Sequence, residues 1–296
     1  MIHVVVVAYK NASTIIPCVR PLLSDAGVTR VVVVDNSSDQ DIEALCSAEK
    51  AGCRLIYIPE DNIGYARACN LGVTLMTGDD RYVAILNPDV TLVRPLSQLA
   101  GLAESDHGSL FSALLSQARA GLNARPMASL GGELLNALIG SRAYSRLKLR
   151  SHEGFETVPQ IDGSLLLIPA AEYRALGGFD ERYELYYEDV DLCRRANVRD
   201  GCRLFPKVWG AHVGGASYGQ GCERPYLALR ASRARYLLKW YGPLVAPIVI
   251  IVATLEAIIR IVGTSTPSKA TVLRGAWVQL MEVVQPNRRG YLLHDR

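Results

Sequence analysis

Val31-Val32-Val33-Val34-Asp35-Asn36-Ser37-Ser38 is a run of β-branched residues closed by an acid and a polar cluster. Consecutive valines show no polar alternation, so the strand they form is covered on both faces. The pattern repeats on either side. Upstream, Ile2–Val7 reads as a buried strand and Thr14–Leu23 as a helix; downstream, Ile42–Ala51 is a helix, Arg54–Ile58 a strand, Tyr65–Met76 a helix and Tyr82–Leu86 a strand. Buried strands joined by helices predict a parallel sheet with helices on both faces. Ligands of such sheets bind beyond the carboxyl ends of the strands. The polar residues that close each strand should therefore converge: Ala8-Tyr9-Lys10-Asn11, Asp35 to Ser38, Glu60-Asp61-Asn62 and Asn87-Pro88-Asp89.

The rest of the chain is less regular. Residues 105–155 hold Gly121, Pro126, Gly131, Gly132 and Gly140 and predict a variable loop with one short helix. Ser164–Ile168 reads as a strand, Ala170–Leu176 and Leu192–Arg199 as helices, and Cys202–Phe205 and Val208–Val213 as strands. Beyond Arg224 the pattern is helical.

Composition narrows the classes. With 296 residues, 49% of them hydrophobic, the chain can bury the core of one large domain or of a domain with an appendage. The net charge of +3, with no basic run or basic-aromatic stripe, gives no reason to expect a nucleic-acid partner. The seven cysteines are odd in number, scattered and without a CxxC pair, which argues against a zinc site or a disulfide framework and for reduced thiols in the cytoplasm. The N-terminus opens directly into the first strand without a basic region or cleavage site, so no signal peptide is expected.

Five constellations can carry chemistry. Asp35-Asn36-Ser37-Ser38 ends a strand, where a carboxylate can accept from a base N–H or ribose hydroxyls; it can equally cap the next helix. In Asp61-Asn62-Ile63-Gly64-Tyr65-Ala66-Arg67-Ala68-Cys69-Asn70, Gly64 would let a ligand approach the backbone at a helix start and Arg67 could meet phosphate; the bland reading is an ordinary turn. Asn87-Pro88-Asp89 suits a turn, or a divalent cation held through hard oxygen. Glu188-Asp189-Val190-Asp191 crowds carboxylates, which raises a pKa and suits a general base or metal site, against the alternative of a solvated acidic helix start. His212, between small residues, could reach a metal or phosphate, though a lone histidine is more often structural.

Taken in order, VVVVDNSS, DNIGYARACN, LNPDV, DGSLLLIP, GGFDE, YYEDVDLCRR and GAHVGG resemble family 2 glycosyltransferases of the GT-A fold, in particular the bacterial rhamnosyltransferase-type branch. The resemblance covers roughly residues 1–225 and implies an α/β, Rossmann-like, mostly parallel sheet flanked by helices, with residues 226–296 as a C-terminal helical extension. It implies an inverting, metal-dependent transferase. Asp35, Ala8 and Tyr9 would line the base pocket, with Asn36; Asn62, Gly64, Arg67, Asn70 and Asn87 would help hold the nucleotide sugar. Asp89 matches the last acid of the DxD metal motif, where Asn87 departs from the usual first acid, and His212 would complete a Mg2+ or Mn2+ site. Asp189 matches the catalytic base; Glu188, Asp191 and Asp162 would orient it or meet the acceptor. The donor implied is a dTDP- or UDP-sugar, dTDP-L-rhamnose first, with UDP-linked galactose, galactofuranose or N-acetylglucosamine as competitors. The acceptor implied is a glycan or lipid-linked intermediate at the inner face of the cell membrane.

Leu244–Leu255 is too short to span a bilayer unaided, and its extension to Gly263 includes Glu256 and Arg260, four apart on one helical face. It predicts a helix on the membrane surface, with Arg235, Lys239, Trp240 and Tyr241 at the interface, or a buried helix or subunit contact. Val272–Val284 is expected to form a further helix with Trp277 and Leu280 packing inward. Rival functions fare worse. Gly215-Ala216-Ser217-Tyr218-Gly219 fits G-x-S-x-G, but the acid and histidine that should follow stand in the wrong order at the terminus. No G-x-G-x-x-G follows the first strand, which argues against a dinucleotide enzyme. A non-catalytic nucleotide-sugar binder stays open.

Overall fold

β1 (Ile2–Ala8) and β2 (Val28–Asp35) run parallel, with Val4 to Val7 opposite Val31 to Val34. These positions come from a computed structural model that describes residues 1–49, 52–117, 123–139, 149, 153–214, 223–263 and 268–285. β3 (Leu55–Pro59) extends the sheet beyond β2 and β4 (Tyr82–Leu86) flanks β1, both parallel. Alternate valines point to opposite faces. Val4, Val6, Val31 and Val33 pack with α1 (Ala12–Ser24) and α2 (Gln40–Ala48), while Val5, Val7, Val32 and Val34 pack with α3 (Tyr65–Val73). At Gly72 α3 lies so close to β1 that a Cβ would stand 2.4 Å from Val5 Cγ1. Only glycine permits this approach of α3 to the sheet.

β5 (Val90–Leu92), α4 (Leu96–Ala103) and β6 (Leu110–Gln117) follow, then β7 (Ala124–Arg125) and α5 (Leu130–Ile139). β8 (Glu156–Val158), β9 (Gln160–Ile161) and β10 (Leu165–Pro169) precede α6 (Ala170–Leu176), α7 (Glu188–Ala196) and β11 (Cys202–His212). The nine-stranded sheet has the order β3-β2-β1-β4-β10-β6-β11-β5, with β8 on the β5 side of β11 and β10 antiparallel to its neighbours. β7 and β9 form a separate ribbon.

Three expectations are corrected here. Residues 105–155 are not merely a loop with one helix, because β6 lies inside the main sheet between β10 and β11. Cys202–Phe205 and Val208–Val213 are one strand, with irregular register around Pro206, which has no N–H to give. The acidic stretch does not lead into a helix at Leu192; the helix begins at Glu188.

The chain divides into two units. The first, Met1–Met127, Arg146–Asp180 and Asp189–Ser217, contains the sheet. The second, Ala128–Ser145, Glu181–Glu188 and Tyr218–Arg296, is helical: α5, α8 (Glu223–Tyr241), α9 (Ala246–Gly263) and α10 (Lys269–Val284). It therefore draws two segments from earlier in the chain than residue 225. Arg230, Arg233 and Arg235 of α8 are all buried. Arg230 and Arg233 meet Glu256 of α9, and Arg235 meets Glu282 of α10. Arg235 is thus a core ion-pair partner and not an interfacial group. Trp277, expected to pack inward, is 60% exposed, because the inward face of α10 carries Val272, Gly275, Val278 and Glu282 instead. Glu256 and Arg260 do pair, at 3.2 Å. The G-x-S-x-G stretch at 215–219 lies outside the described residues.

Candidate active site

The loops that leave the strands are bound to one another. Asn36 N–H donates to Ala8 O at 2.8 Å, and Lys10 N–H donates to Ser37 Oγ at 3.0 Å. Asn36 Oδ1 accepts from Ile63 N at 2.9 Å, and Asn62 N donates to Asn36 O at 3.0 Å. Lys10, Ser38 and Asn62 all take positive φ, at 50°, 49° and 39°. Non-glycine residues seldom do so, and three in adjoining strand-end loops mark a built region. Gly64, at φ 90°, turns the chain into α3 with no side chain capping the helix start. The start of a helix is the end that favours an anion. Ala8 is fully buried, while Tyr9 and Arg67 keep part of their surface open.

Asp35 is 0% exposed and takes protein donors on both oxygens. Oδ1 accepts from Ser37 N and Oγ at 3.0 and 2.7 Å; Oδ2 accepts from Asp39 N at 2.6 Å and Tyr57 OH at 2.8 Å. A carboxylate offers about four lone-pair directions, so Asp35 shapes the loop, and a base would meet it only by displacing one of these donors. Asp39, not Asp35, caps α2.

Asp89 and His212 are brought together by strand register. His212 pairs with Val90 across β11 and β5, and Asp89 directly precedes Val90. His212 Nε2 lies 3.2 Å from Asp89 Oδ1, and Gly214 N–H donates to Asp89 Oδ2 at 2.9 Å. Burial would raise the Asp89 pKa, but the His212 hydrogen bond and charge outweigh it and hold the carboxylate below its usual range. For His212 burial acts downward, and Asp89 more than offsets it. Asn87 stands one turn back. Its Oδ1 accepts from Tyr65 OH at 3.1 Å and its N–H donates to Ser164 O at 3.0 Å.

The Asp162-Gly163-Ser164 turn supports Asp189. Gly163 N–H donates to Asp189 Oδ2 at 2.9 Å, and a Cβ at Gly163 would meet Asp189 Cβ at 3.5 Å. Val190 N–H donates to Oδ1 at 2.8 Å. Burial, then the charge of Asp162, push the Asp189 carboxyl up to about 6, against the two backbone amides. The charge of Asp162 also acts on His212, placing Asp162 within electrostatic reach of both the acid and the histidine.

The arrangement offers a carboxylate poised to take a proton near neutrality, a second acid paired with histidine, and an uncapped helix start. Residues 3–137 match the family described as Glycosyl transferase family 2. Over these residues the chain carries a family 2 glycosyltransferase domain. The low-salt glycan biosynthesis hexosyltransferase Agl10 of Haloferax volcanii is 26% identical over 70% of this chain and 66% of its own length. The rhamnosyltransferase WbbL of Escherichia coli K12 is 24% identical over 81% of this chain and 93% of its own length. The N-acetylglucosaminyl-diphospho-decaprenol L-rhamnosyltransferase of Mycobacterium tuberculosis H37Rv is 28% identical over 55% and 59%. The chain thus spans about two thirds of the first of these relatives and less of the third. Among solved structures, S. aureus TarS 1-349 with UDP-GlcNAc superposes with TM-score 0.56 at 12% identity, over 96% of this chain and 80% of that one. The mannosyltransferase PcManGT of Pyrobaculum calidifontis with GDP-Man and Mn2+ gives 0.51 at 16% identity, over 96% and 84%. The fold of the glycosyltransferase domain is GT-A.

Two expected site residues of the glycosyltransferase domain also hold the fold. Asn70 accepts from Tyr173 OH at 2.6 Å and from Phe179 N at 3.0 Å, and donates to Phe179 O at 2.9 Å. It fastens the Gly178-Phe179 turn, where a Cβ on Gly178 would strike Asn70 Oδ1 at 2.8 Å. Asp191 is 0% exposed and paired with Arg195 at 2.9 Å, and Arg195 also donates to Leu176 O and Gly178 O. Through Arg195 it braces α7 and that same turn. Glu188 is buried and belongs to the helical unit. Tyr65, Gly163 and Gly214 escaped notice in the sequence, since two act through backbone N–H groups. Tyr65 had one signal, its place directly after Gly64 at a helix start.

Proposed function

We propose that this glycosyltransferase moves a sugar from a nucleotide diphosphate to an acceptor hydroxyl with inversion, Asp189 acting as the base. The observation that carries the reading is Asp189 itself: aimed by the Gly163 amide, and half-protonated at about pH 6 so that it is ready as an acceptor at neutrality. A single displacement needs only one such group, which takes the proton from the attacking hydroxyl on the face opposite the leaving diphosphate. The uncapped start of α3 and the side chain of Arg67 suit the diphosphate. Ala8, Tyr9, Asn36 and Asn62 would frame the base and ribose, on a loop that Asp35 stiffens.

Asp89 and His212 fit a divalent cation, Mg2+ or Mn2+. An oxygen and a nitrogen donor converge at 3.2 Å, and no cluster of three ligating side chains occurs among the described residues, so the diphosphate and water would fill the remaining positions. Bound there, the cation would neutralise charge on the leaving diphosphate. A raised His212 pKa means that the imidazole must lose its proton to serve as a ligand.

The relatives named for rhamnosyl transfer favour dTDP-L-rhamnose as donor, with UDP-sugars second. The diphospho-decaprenol in one relative's name favours a lipid-linked acceptor at the cytoplasmic face of the membrane. The test is calorimetric titration of dTDP-rhamnose and a panel of UDP- and GDP-sugars, with and without manganese. One donor is expected to bind, more tightly with metal. No heat with any donor, in folded protein with manganese present, removes the mechanism above.

A pH profile tests the base separately. Asp189 must be ionised to work, so kcat/KM should rise with pH through about 6 and level off above it. Asp162→Asn removes the neighbouring charge and should move this acid limb to lower pH. A limb that stays where it is would dissociate Asp162 from the base.

A further inference from the structure

The segment Pro243–Val262 is long and apolar enough to cross a membrane, with mean hydropathy 2.4, yet only 33% of it is buried. Its two faces differ. Val245, Val249, Val252, Ala253, Glu256 and Ala257 are turned inward. Leu244, Ile251, Leu255, Ile258 and Val262 form an outward stripe at spacings of seven, four, three and four residues, with exposures from 39% to 90%. Thr254 is exposed beside them, but its hydroxyl is spent on Ile250 O at 2.9 Å. On the adjoining α10, Leu273, Trp277 and Val284 are 57%, 60% and 62% exposed on one similar stripe.

Two features say what covers these stripes. The acids of α9 and α10, Glu256 and Glu282, are 6% and 0% exposed and locked to arginines of α8. The exposed charges of these helices among the described residues are Lys269 and Arg274, both basic, Arg274 also meeting Glu223 of α8. The same two helices of a second copy would bring the same cations and, among the described residues, no exposed carboxylate of their own to meet them. An anionic lipid surface supplies the opposite charge, and an exposed tryptophan among aliphatic side chains suits the headgroup boundary.

We infer that α9 and α10 lie in the plane of an anionic bilayer surface, with Ile251, Ile258 and Trp277 entering the acyl boundary, and that α9 does not span. Lifting α9 out to span would carry Glu256 and Arg260 into hydrocarbon and leave Arg230 and Arg233 buried without their partner. This holds whatever the donor or acceptor.

The test uses the full chain with phosphatidylcholine vesicles, with and without phosphatidylglycerol. The wild type should sediment with the anionic vesicles and be released by alkaline carbonate. Ile258→Glu with Trp277→Glu should weaken binding by about tenfold or more at an unchanged melting temperature. Independently of that variant, brominated lipid should quench wild-type fluorescence more than that of Trp277→Phe. Wild-type protein left in the supernatant, equal binding by the variant, or equal quenching would overturn the inference. Retention after carbonate would show a span instead, and a lipid-free dimer that the glutamates dissociate, without vesicle binding, would show a second copy.

Discussion

Asp189→Asn is expected to abolish transfer, lowering kcat by about 10^3-fold within the range of about 10^2 to 10^4 that a lost general base costs, while donor affinity stays within about threefold. The amide is nearly isosteric and keeps one oxygen, for either the Gly163 or the Val190 N–H that aim Asp189 from its two sides, but it cannot take a proton. The same variant carries a stability signature. The fold holds the Asp189 proton more tightly than an unfolded chain does, because burial and Asp162 disfavour the charge. The carboxylate therefore costs nothing at pH values below the ordinary range near 4, and its cost grows until the pH has passed about 6. Relative to the wild type, Asp189→Asn should therefore gain in melting temperature between pH 3 and pH 8. A variant dead in turnover but unaltered in this pH dependence would mean that the acid is not buried as described.

Glu256→Ala should lower the stability of the helical unit by about 3–5 kcal/mol, the cost of stripping one partner from a buried ion pair. Glu256 Oε2 accepts from both Arg230 and Arg233, and Oε1 from Arg260. Burial alone would raise the Glu256 pKa; Arg233 and Arg230 outweigh it and hold the carboxylate below its usual range. Its contribution is thus present at neutral pH and lost as the pH falls through that lowered value. Without it the two guanidiniums, 3% exposed, have Glu133 as the remaining acid nearby, 3.9 Å from Arg233. Glu133 also accepts from Tyr187 OH at 2.9 Å, and Tyr186 and Tyr187 sit at φ 65° and 67°. The helical unit therefore holds Tyr187 in its strained backbone conformation through the same network that Glu256 neutralises. Urea unfolding followed by circular dichroism checks the loss, with Glu104→Ala, at an exposed pair with Arg81, as a control within about 0.5 kcal/mol. Equal effects from the two substitutions would contradict the buried network.

The valine-rich strands were legible because burial on both faces writes an unbroken apolar run. β6 was not. Leu-Phe-Ser-Ala-Leu-Leu-Ser-Gln has no β-branched residue, and Ser112 interrupts it. That serine is buried because its hydroxyl donates to Leu165 O at 2.7 Å, a partner 53 residues away that no local pattern shows. The site divides the same way. Asp89 and Asp189 announce themselves as acids at element ends, whereas the amides of Gly163 and Gly214 that hold them carry no side-chain signal. Asn70 and Asp191 stand in the motifs, but the partner of Asn70, Phe179, lies where no local pattern announces it, and Asp191 is also paired with Arg195. The two short segments that join the helical unit could not be assigned from position alone, since one is identified by Glu133 meeting Arg233 and Tyr187 across the sequence.

The most direct test of the central claim is release of nucleoside diphosphate from each donor, with manganese and a bacterial lipid extract as acceptor, by the wild type and Asp189→Asn. One donor should be turned over by the wild type and the variant should fall by about 10^3-fold. Near-normal release by Asp189→Asn would remove Asp189 as the base, and no release from any donor by the wild type would contradict the transferase mechanism itself.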